Sequence, residues 1–170
     1  YWSFLKIMRF KMDLPSLVVG IIGWQYLAMC LGDALHTIVG NANLVKKSAF
    51  PRFILPLSMV LANLINLLLS LVVVYGYLLL VRAPLGPLYW LPAILLTQFA
   101  LCLGLSLGIS ALNVFFRDLE HILSILLMAW FFVTPVIYPV VEVTHRFDGL
   151  LRGLYFANPM TGMLTAYRAV

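Results

Sequence analysis

The feature that most constrains this chain is the stretch from residue 54 to residue 81, which has no charged side chain and is rich in leucine and valine. A helix needs about 20 consecutive apolar residues to cross the hydrocarbon core of a bilayer. Because lipid offers no hydrogen-bond partners to the backbone, a helix is the structure expected for such a run. The stretch therefore predicts a membrane-spanning helix.

The composition agrees with a membrane protein. Of the 170 residues, 64% are hydrophobic and only 10% are charged, whereas a soluble domain has about 25% charged residues. The net charge of +5 comes from basic residues scattered near the ends of apolar runs, unlike the dense basic face of a nucleic-acid site. Cys30 and Cys102 lie within apolar runs and are expected to be small buried residues. We predict an all-α integral membrane protein that does not bind nucleic acid.

Four apolar stretches are predicted to be complete spans: residues 16–38, 54–81, 88–112 and 122–138. Residues 1–8 are too few to cross and are expected to end another span. Residues 140–170 are only semi-polar, and Asn158-Pro159 divides them into pieces too short to cross, which is typical of re-entrant or interfacial helices. We expect the chain to be a fragment of a longer permease-like protein.

Residues 40–56, GNANLVKKSAFPRFILP, form the most polar stretch and lie between two predicted spans. The pattern is typical of a short amphipathic helix followed by a proline-limited entry into a span. It indicates either a solvated loop whose charges set topology or a helix that docks a partner. Basic and apolar side chains alternate within it: Leu44, Val45, Lys46, Lys47, Phe50 and Arg52.

Residues 113–121 are predicted to lie on the same side of the membrane as residues 39–53, because two spans separate them. Counting basic residues does not set the orientation. The side that holds Lys46 and Lys47 has slightly fewer of them than the other, so the positive-inside rule leans weakly against a cytoplasmic position for these two residues.

Ionisable residues within or beside the spans are candidates for chemistry. Asp33 and His36 share a helix face, which suits a helix end near the headgroups, a pore-facing pair or, least of all, a metal site. Asp118 and Glu120 suit a charged turn or a carboxylate pair that binds metal. The three histidines show no metal-ligand spacing, and no phosphate-binding loop of the Gly-x-x-x-x-Gly-Lys-Ser/Thr type occurs. We therefore predict no metal site and no ATP hydrolysis in this chain.

Aromatic side chains are plentiful in the spans. Rings along a pathway can slide past the apolar faces of sugars without a fixed hydrogen-bond pattern, but each ring can equally serve in packing or face lipid. Gly104-x-x-x-Gly108 in the third complete span predicts close helix pairing. The candidate pathway residues are Trp24, Tyr26, Asp33, Trp130, Phe131, Phe132 and Tyr138.

Four segments in order carry a resemblance: GNANLVKKSAFPRFILPLSMVLANLINLLLSL, SALNVFFRDLEHIL, FFVTPVIYPV and NPMTG. Together they resemble the membrane subunit of ABC-2-type exporters of polysaccharide and polyol phosphate, which move O-antigen, capsular polysaccharide or teichoic acid precursors. The resemblance implies the ABC-2 permease fold over residues 1–170, without its N-terminal amphipathic helix and last span. It also implies a multi-pass protein of the bacterial cytoplasmic (inner) membrane.

The resemblance further implies roles for individual residues. Residues 41–52 match a cytoplasmic coupling helix, and residues 113–118 match a second cytoplasmic turn, so these segments would contact a separate ATPase subunit that holds ATP and magnesium. The implied coupling residues are Asn41, Asn43, Leu44, Val45, Lys46, Lys47, Phe50, Pro51, Arg52, Asn113, Arg117 and Asp118. The implied extracytoplasmic gate includes Pro139, Asn158 and Pro159.

The implied partners are the ATPase, a second permease copy in a homodimer, membrane lipids and the lipid-linked polymer; no cofactor is expected in this chain itself. Two other functions stay open on the sequence. An ABC-2 exporter of drugs or lipids would share the fold, and a membrane enzyme acting on lipid-linked sugars would use Asp118 and Glu120 to bind a metal.

Overall fold

The computed structural model describes residues 14–41, 51, 53–81, 86–116, 118–137, 153, 155 and 157–169. A 3-10 turn at Leu88–Trp90 leads directly into the third helix, and no strand occurs within these ranges. The described helices are α1 (Leu14–Gly40), α2 (Ile54–Leu80), α3 (Leu91–Phe115), α4 (Leu119–Val133) and α5 (Pro159–Ala169).

Three of the predicted spans are confirmed as helices long and apolar enough to cross a membrane: Pro15–Ile38, Ile54–Leu80 and Leu88–Phe115. The prediction of a complete span over residues 122–138 needs correction, because α4 has only 15 residues and ends at Val133. Thr134 is extended, with φ −89° and ψ 139°. Pro135 explains this, since a proline disfavours the helical conformation of the residue before it. The predicted end of a span at residues 1–8 lies outside the described residues.

Helix α1 occupies the centre of the bundle and contacts every other described helix. Half of its apolar stretch is buried inside the protein, compared with 22% for α2 and 28% for α3. Gly23 permits close approach of α5, because a Cβ atom there would lie 3.0 Å from the side chain of Leu164. The position of α1 makes it the element through which the other helices are connected.

Side chains of α3 donate hydrogen bonds to successive backbone carbonyls of α1. Gln98 Nε2 donates to the carbonyl of Gly23 at 2.7 Å, and Ser106 Oγ donates to that of Cys30 at 3.2 Å. Gln98 and Ser106 are fully buried. Because polar groups inside a membrane must find partners within the protein, these bonds fix the register of the two parallel helices.

The outer faces of α2 and α3 are apolar and exposed, as expected of surfaces that meet lipid. Val72 of α2 is 69% exposed, and Leu96 of α3 is 69% exposed. Gly104 and Gly108 also face outward, and no described atom would come within 4 Å of a Cβ at either position. The close helix pairing predicted for these glycines therefore does not occur among the described helices.

Replacing Gln98 with leucine tests the hydrogen bonds between the spans. The substitution removes the donor to Gly23 and the acceptor of the Tyr167 hydroxyl, which donates to Gln98 Oε1 at 2.6 Å. We expect the free energy of unfolding of the purified protein in detergent to fall by about 1–2 kcal/mol.

Thr97→Val is the matched control, because the Thr97 hydroxyl is exposed and bonds within its own helix to Ala93. Denaturant unfolding followed by circular dichroism measures both variants. Equal stability of Gln98→Leu and the unchanged protein would contradict the role assigned to these bonds.

Candidate functional site

Asp33 lies in the last third of α1 and contacts α2. Its Oδ2 accepts a hydrogen bond from Asn63 Nδ2 at 2.7 Å, and Asn63 is buried. An ionisable group in a membrane-length helix is costly and normally has a polar partner or faces water. The Asn63 amide is such a partner here and joins the carboxylate of the exposed Asp33 to α2.

The neighbouring residues of α1 contact α3 and α4 at the same end. Asn113 Nδ2 of α3 donates to the carbonyl of Leu35 at 2.6 Å. His36 Nε2 lies 3.8 Å from Glu120 Oε1 at the start of α4, with both side chains largely exposed. We call Asp33, Leu35, His36 and their partners Asn63, Asn113 and Glu120 the polar end of the bundle. A single turn of α1 thereby hydrogen-bonds to α2 and α3 and contacts α4.

The end of α1 is completed by its own side chains. Thr37 Oγ1 donates to the carbonyl of Asp33 at 2.6 Å, and Asn41 Nδ2 donates to that of Thr37 at 2.8 Å. The last carbonyls of a helix have no intrahelical donor, and Asn41 supplies one of them with a donor. Helix α2 begins on the same side, where Ile54 N donates to the carbonyl of Pro51. The described residues on either side of segment 42–50, Asn41 and Pro51, thus both lie near the polar end.

Most of the residues predicted to couple to an ATPase belong to segments outside the described residues: Asn43, Leu44, Val45, Lys46, Lys47, Phe50, Arg52 and Arg117. Of the others, Asn41, Asn113 and Asp118 lie at the polar end, and Pro51 precedes α2. The sequence placed residues 39–53 and 113–121 on one side, and the contact between His36 and Glu120 supports that placement.

The carboxylates at this end do not form a metal site within the described part of the chain. No group of three or more histidine, cysteine, aspartate or glutamate side chains is placed to hold a metal there. Asp118 precedes α4 without capping it through its side chain. Glu120 instead lies beside His36, a contact between distant parts of the chain that sequence spacing did not predict.

The aromatic candidates of α1 and α4 pack on one another. We call Trp24, Trp130, Phe131 and Phe132 the aromatic cluster. The ring of Trp24 meets Trp130 at 6.0 Å and 87° and Phe131 at 5.5 Å and 66°, both edge to face. Phe131 meets Phe132 at 5.6 Å and 80°. Trp24 is only 7% exposed, so this arrangement joins two helices and leaves little of that ring open to a ligand.

Other pathway and gate candidates have separate positions. Tyr26 is buried, and its hydroxyl donates to the carbonyl of Val60 at 3.4 Å. Asn158 directly precedes α5, and Pro159 is the first residue of that helix. Tyr138 and Pro139 lie outside the described residues. Sequence reasoning missed Asn63, although an amide inside a long apolar run is a visible signal of a specific partner.

The bond between Asp33 and Asn63 is tested by a double-mutant cycle. Asn63→Ala leaves the carboxylate of Asp33 without its amide donor, and a hydrogen bond to a charged group contributes about 1.5–3 kcal/mol. We expect a loss of unfolding free energy of that size, which Asp33→Asn in the same protein partly restores because it removes the charge.

Glu120→Gln is the comparison at the same end, since an exposed ion pair contributes about 0–1 kcal/mol. Denaturant unfolding in detergent measures the set of variants. Additive effects of Asn63→Ala and Asp33→Asn would show that the two side chains are not coupled.

Comparison with known proteins places the chain among transport proteins. A family model described as ABC-2 type transporter matches residues 2–170. The O-antigen export system permease protein RfbA of Myxococcus xanthus is 36% identical over 178 residues, which cover 98% of this chain. The protein of the same name from Klebsiella pneumoniae is 30% identical over 174 residues, which cover 99% of this chain. The chain spans 65% of the length of each relative.

Proposed function

The chain belongs to the ABC-2 type transporter family, and we propose that it is the membrane-spanning permease of an ATP-driven exporter of lipid-linked polysaccharide. It is a multi-pass protein of the inner membrane, with three helices of membrane-spanning length. The observation that carries the proposal is the match along nearly the whole chain to permeases named for O-antigen export. A polyol phosphate polymer of the capsule or teichoic acid type belongs to the same proposed substrate class.

The proposed partner at the polar end is a separate ATPase subunit. Segment 42–50 is flanked by Asn41 and Pro51 near this end. It carries Lys46 and Lys47 between apolar residues, a composition that suits a short helix seated in a groove of another protein. The sequence contains no phosphate-binding loop of the Gly-x-x-x-x-Gly-Lys-Ser/Thr type, so ATP and magnesium are proposed to bind the partner. Under this proposal, residues 39–53 and 113–121 lie in the cytoplasm.

The polar end provides a route for movement from the ATPase into the membrane. When ATP closes two ATPase subunits on each other, segment 42–50 is proposed to move as a lever and to displace the end of α1. Because Asp33 and Leu35 hydrogen-bond to α2 and α3 and His36 contacts α4, that displacement is proposed to bias several helices rather than one span. The two states of the permease then differ in their contacts with the ATPase, as a conformational switch requires.

The aromatic cluster is proposed to border the pathway of the polymer. Its rings offer apolar faces to sugars, and Phe132 already exposes 61% of its surface. A second copy of the permease is proposed to complete the pathway, with the exposed apolar faces of α2 and α3 in contact with lipid. The names of the relatives favour polysaccharide over drugs or lipids as the substrate, and they favour a transporter over an enzyme.

Reversing the charge of the lysine pair tests the contact with the ATPase. In the assembled transporter, Lys46→Glu combined with Lys47→Glu is expected to lower ATP-driven polymer export and the rate of ATP hydrolysis together. The reason is that two charges of the wrong sign would face the ATPase groove, which costs free energy at a close contact.

Arg82→Glu is the control, because Arg82 is a basic residue predicted on the opposite side of the membrane. Export into vesicles, phosphate release and co-purification of the two subunits are measured for each variant. If both lysines can be reversed without loss of any of the three, segment 42–50 does not dock the ATPase.

A further inference from the structure

The amide of Asn158 connects three parts of the chain at the end of the bundle opposite the polar end. Its Oδ1 accepts hydrogen bonds from the Met160 backbone N–H at 3.1 Å and from Trp130 Nε1 at 3.0 Å. Its Nδ2 donates to Thr134 Oγ1 at 2.9 Å. Capping α5 needs only an acceptor, whereas an amide supplies an acceptor and a donor together. Asn158 therefore does more than begin a helix.

Through Trp130, the same amide is linked to the aromatic cluster. The indole of Trp130 is bonded to Asn158 on one side and meets the ring of Trp24 on the other. If the Trp130 ring moves away from Trp24, it either breaks its bond to Asn158 or takes the start of α5 with it. The packing of the aromatic cluster and the position of the start of α5 therefore depend on each other.

The other end of α5 is also held by hydrogen bonds. Arg168 Nη2 donates to the carbonyl of Val136 at 2.7 Å, and Arg168 Nε donates to that of Ser16 at 3.2 Å, near the start of α1. Gly20 makes room for this guanidinium, because a Cβ atom at that position would lie 2.7 Å from Nη2. The buried Tyr167 adds its bond to Gln98.

Both ends of α5 therefore form hydrogen bonds with the non-helical residues that follow α4: Asn158 bonds to Thr134, and Arg168 bonds to Val136. The C-terminal end also has hydrogen bonds to α1 and α3. The amide of Asn158 joins the N-terminal end to Trp130 of α4 and to Thr134, which follows α4. Of these bonds, separation at Asn158 breaks the two to Trp130 and Thr134. The bonds of Tyr167 and Arg168 can stay intact, so that α5 pivots about its C-terminal end.

We propose that Asn158 is a positioning residue that latches α5 over the aromatic cluster, and that this latch opens before a polymer passes. While the latch is closed, Trp24 is covered by Trp130 and Phe131 and cannot stack on a sugar. When Asn158 releases Trp130 and Thr134, the rings separate and their faces become available to the substrate. The proposal rests on the transport function proposed above.

Crosslinking tests whether the latch has to open. Cysteines replace Asn158 and Thr134 in a protein whose native Cys30 and Cys102 are changed to alanine, and a short reducible thiol crosslinker joins the pair in the assembled transporter. We expect export to be lost on crosslinking and recovered on reduction, because the crosslink holds together two positions whose side chains are in hydrogen-bond contact in the closed latch. Recovery excludes misfolding as the cause.

The outcomes separate the latch from the transport function itself. Undiminished export by the crosslinked protein would overturn the latch while leaving the exporter intact. Failure of the unmodified complex to export polymer would instead overturn the proposed function, and the latch with it. Co-purification with the ATPase is followed throughout and is expected to be the same before and after crosslinking, since no residue of the latch belongs to the polar end.

Weakening the latch provides the complementary measurement. Trp130→Phe keeps an aromatic ring but removes the N–H that Asn158 accepts, and Thr134→Val removes the hydroxyl with little change of shape. Without ATP, each variant is expected to raise passive flux of a small sugar through reconstituted vesicles by about fivefold, the factor by which losing one ordinary hydrogen bond shifts a two-state equilibrium. Trp90→Phe, at an exposed tryptophan outside the cluster, is expected to leave the flux unchanged. Equal flux in all three variants and the unchanged protein would overturn the latch.

Discussion

The structure depends on one constraint, which is that polar groups inside a membrane must find partners within the protein. Helix α1 provides hydrogen-bond partners for polar side chains of its neighbours at several points along its length. Gln98, Ser106 and Asn113 of α3 donate to its carbonyls in order, and Asp33 accepts from α2. These bonds exclude sliding of one span past another, because a shifted register would leave buried donors without acceptors. The bundle is consequently built around a single helix.

The same helix connects the two regions where function is proposed. Its last turns form the polar end, and its first turns receive Arg168 and, through Trp24, the aromatic cluster. A displacement that enters at one end therefore reaches the other through a continuous helix rather than through loops. Rigid helices with discrete packing partners are suited to such transmission, because packed interfaces switch between arrangements instead of deforming gradually. Segment 42–50 and the latch at Asn158 are therefore proposed to belong to one mechanism.

Hydropathy was sufficient to predict the three membrane-length helices, since about 20 apolar residues leave few alternatives. It overestimated the fourth span because it counts apolar residues on both sides of Pro135, whereas the backbone is already extended at Thr134. Spacing along the chain suggested that Asp33 and His36 act together, but their partners Asn63 and Glu120 belong to other helices. Such pairs depend on how helices pack, which local patterns do not contain. Asn158 was singled out as a helix break, and its bonds to Trp130 and Thr134 became visible only in the structure.

Segment 42–50 is proposed to dock a separate ATPase and to pass its movement to α1. The most direct measurement places a cysteine at Lys47 and crosslinks it to that subunit in the assembled transporter, with and without ATP. We predict a crosslink whose yield changes on ATP binding, since the two states differ at this contact. Absence of the crosslink, together with labelling of the cysteine by an impermeant reagent from outside the cell, would invert the topology and contradict the claim.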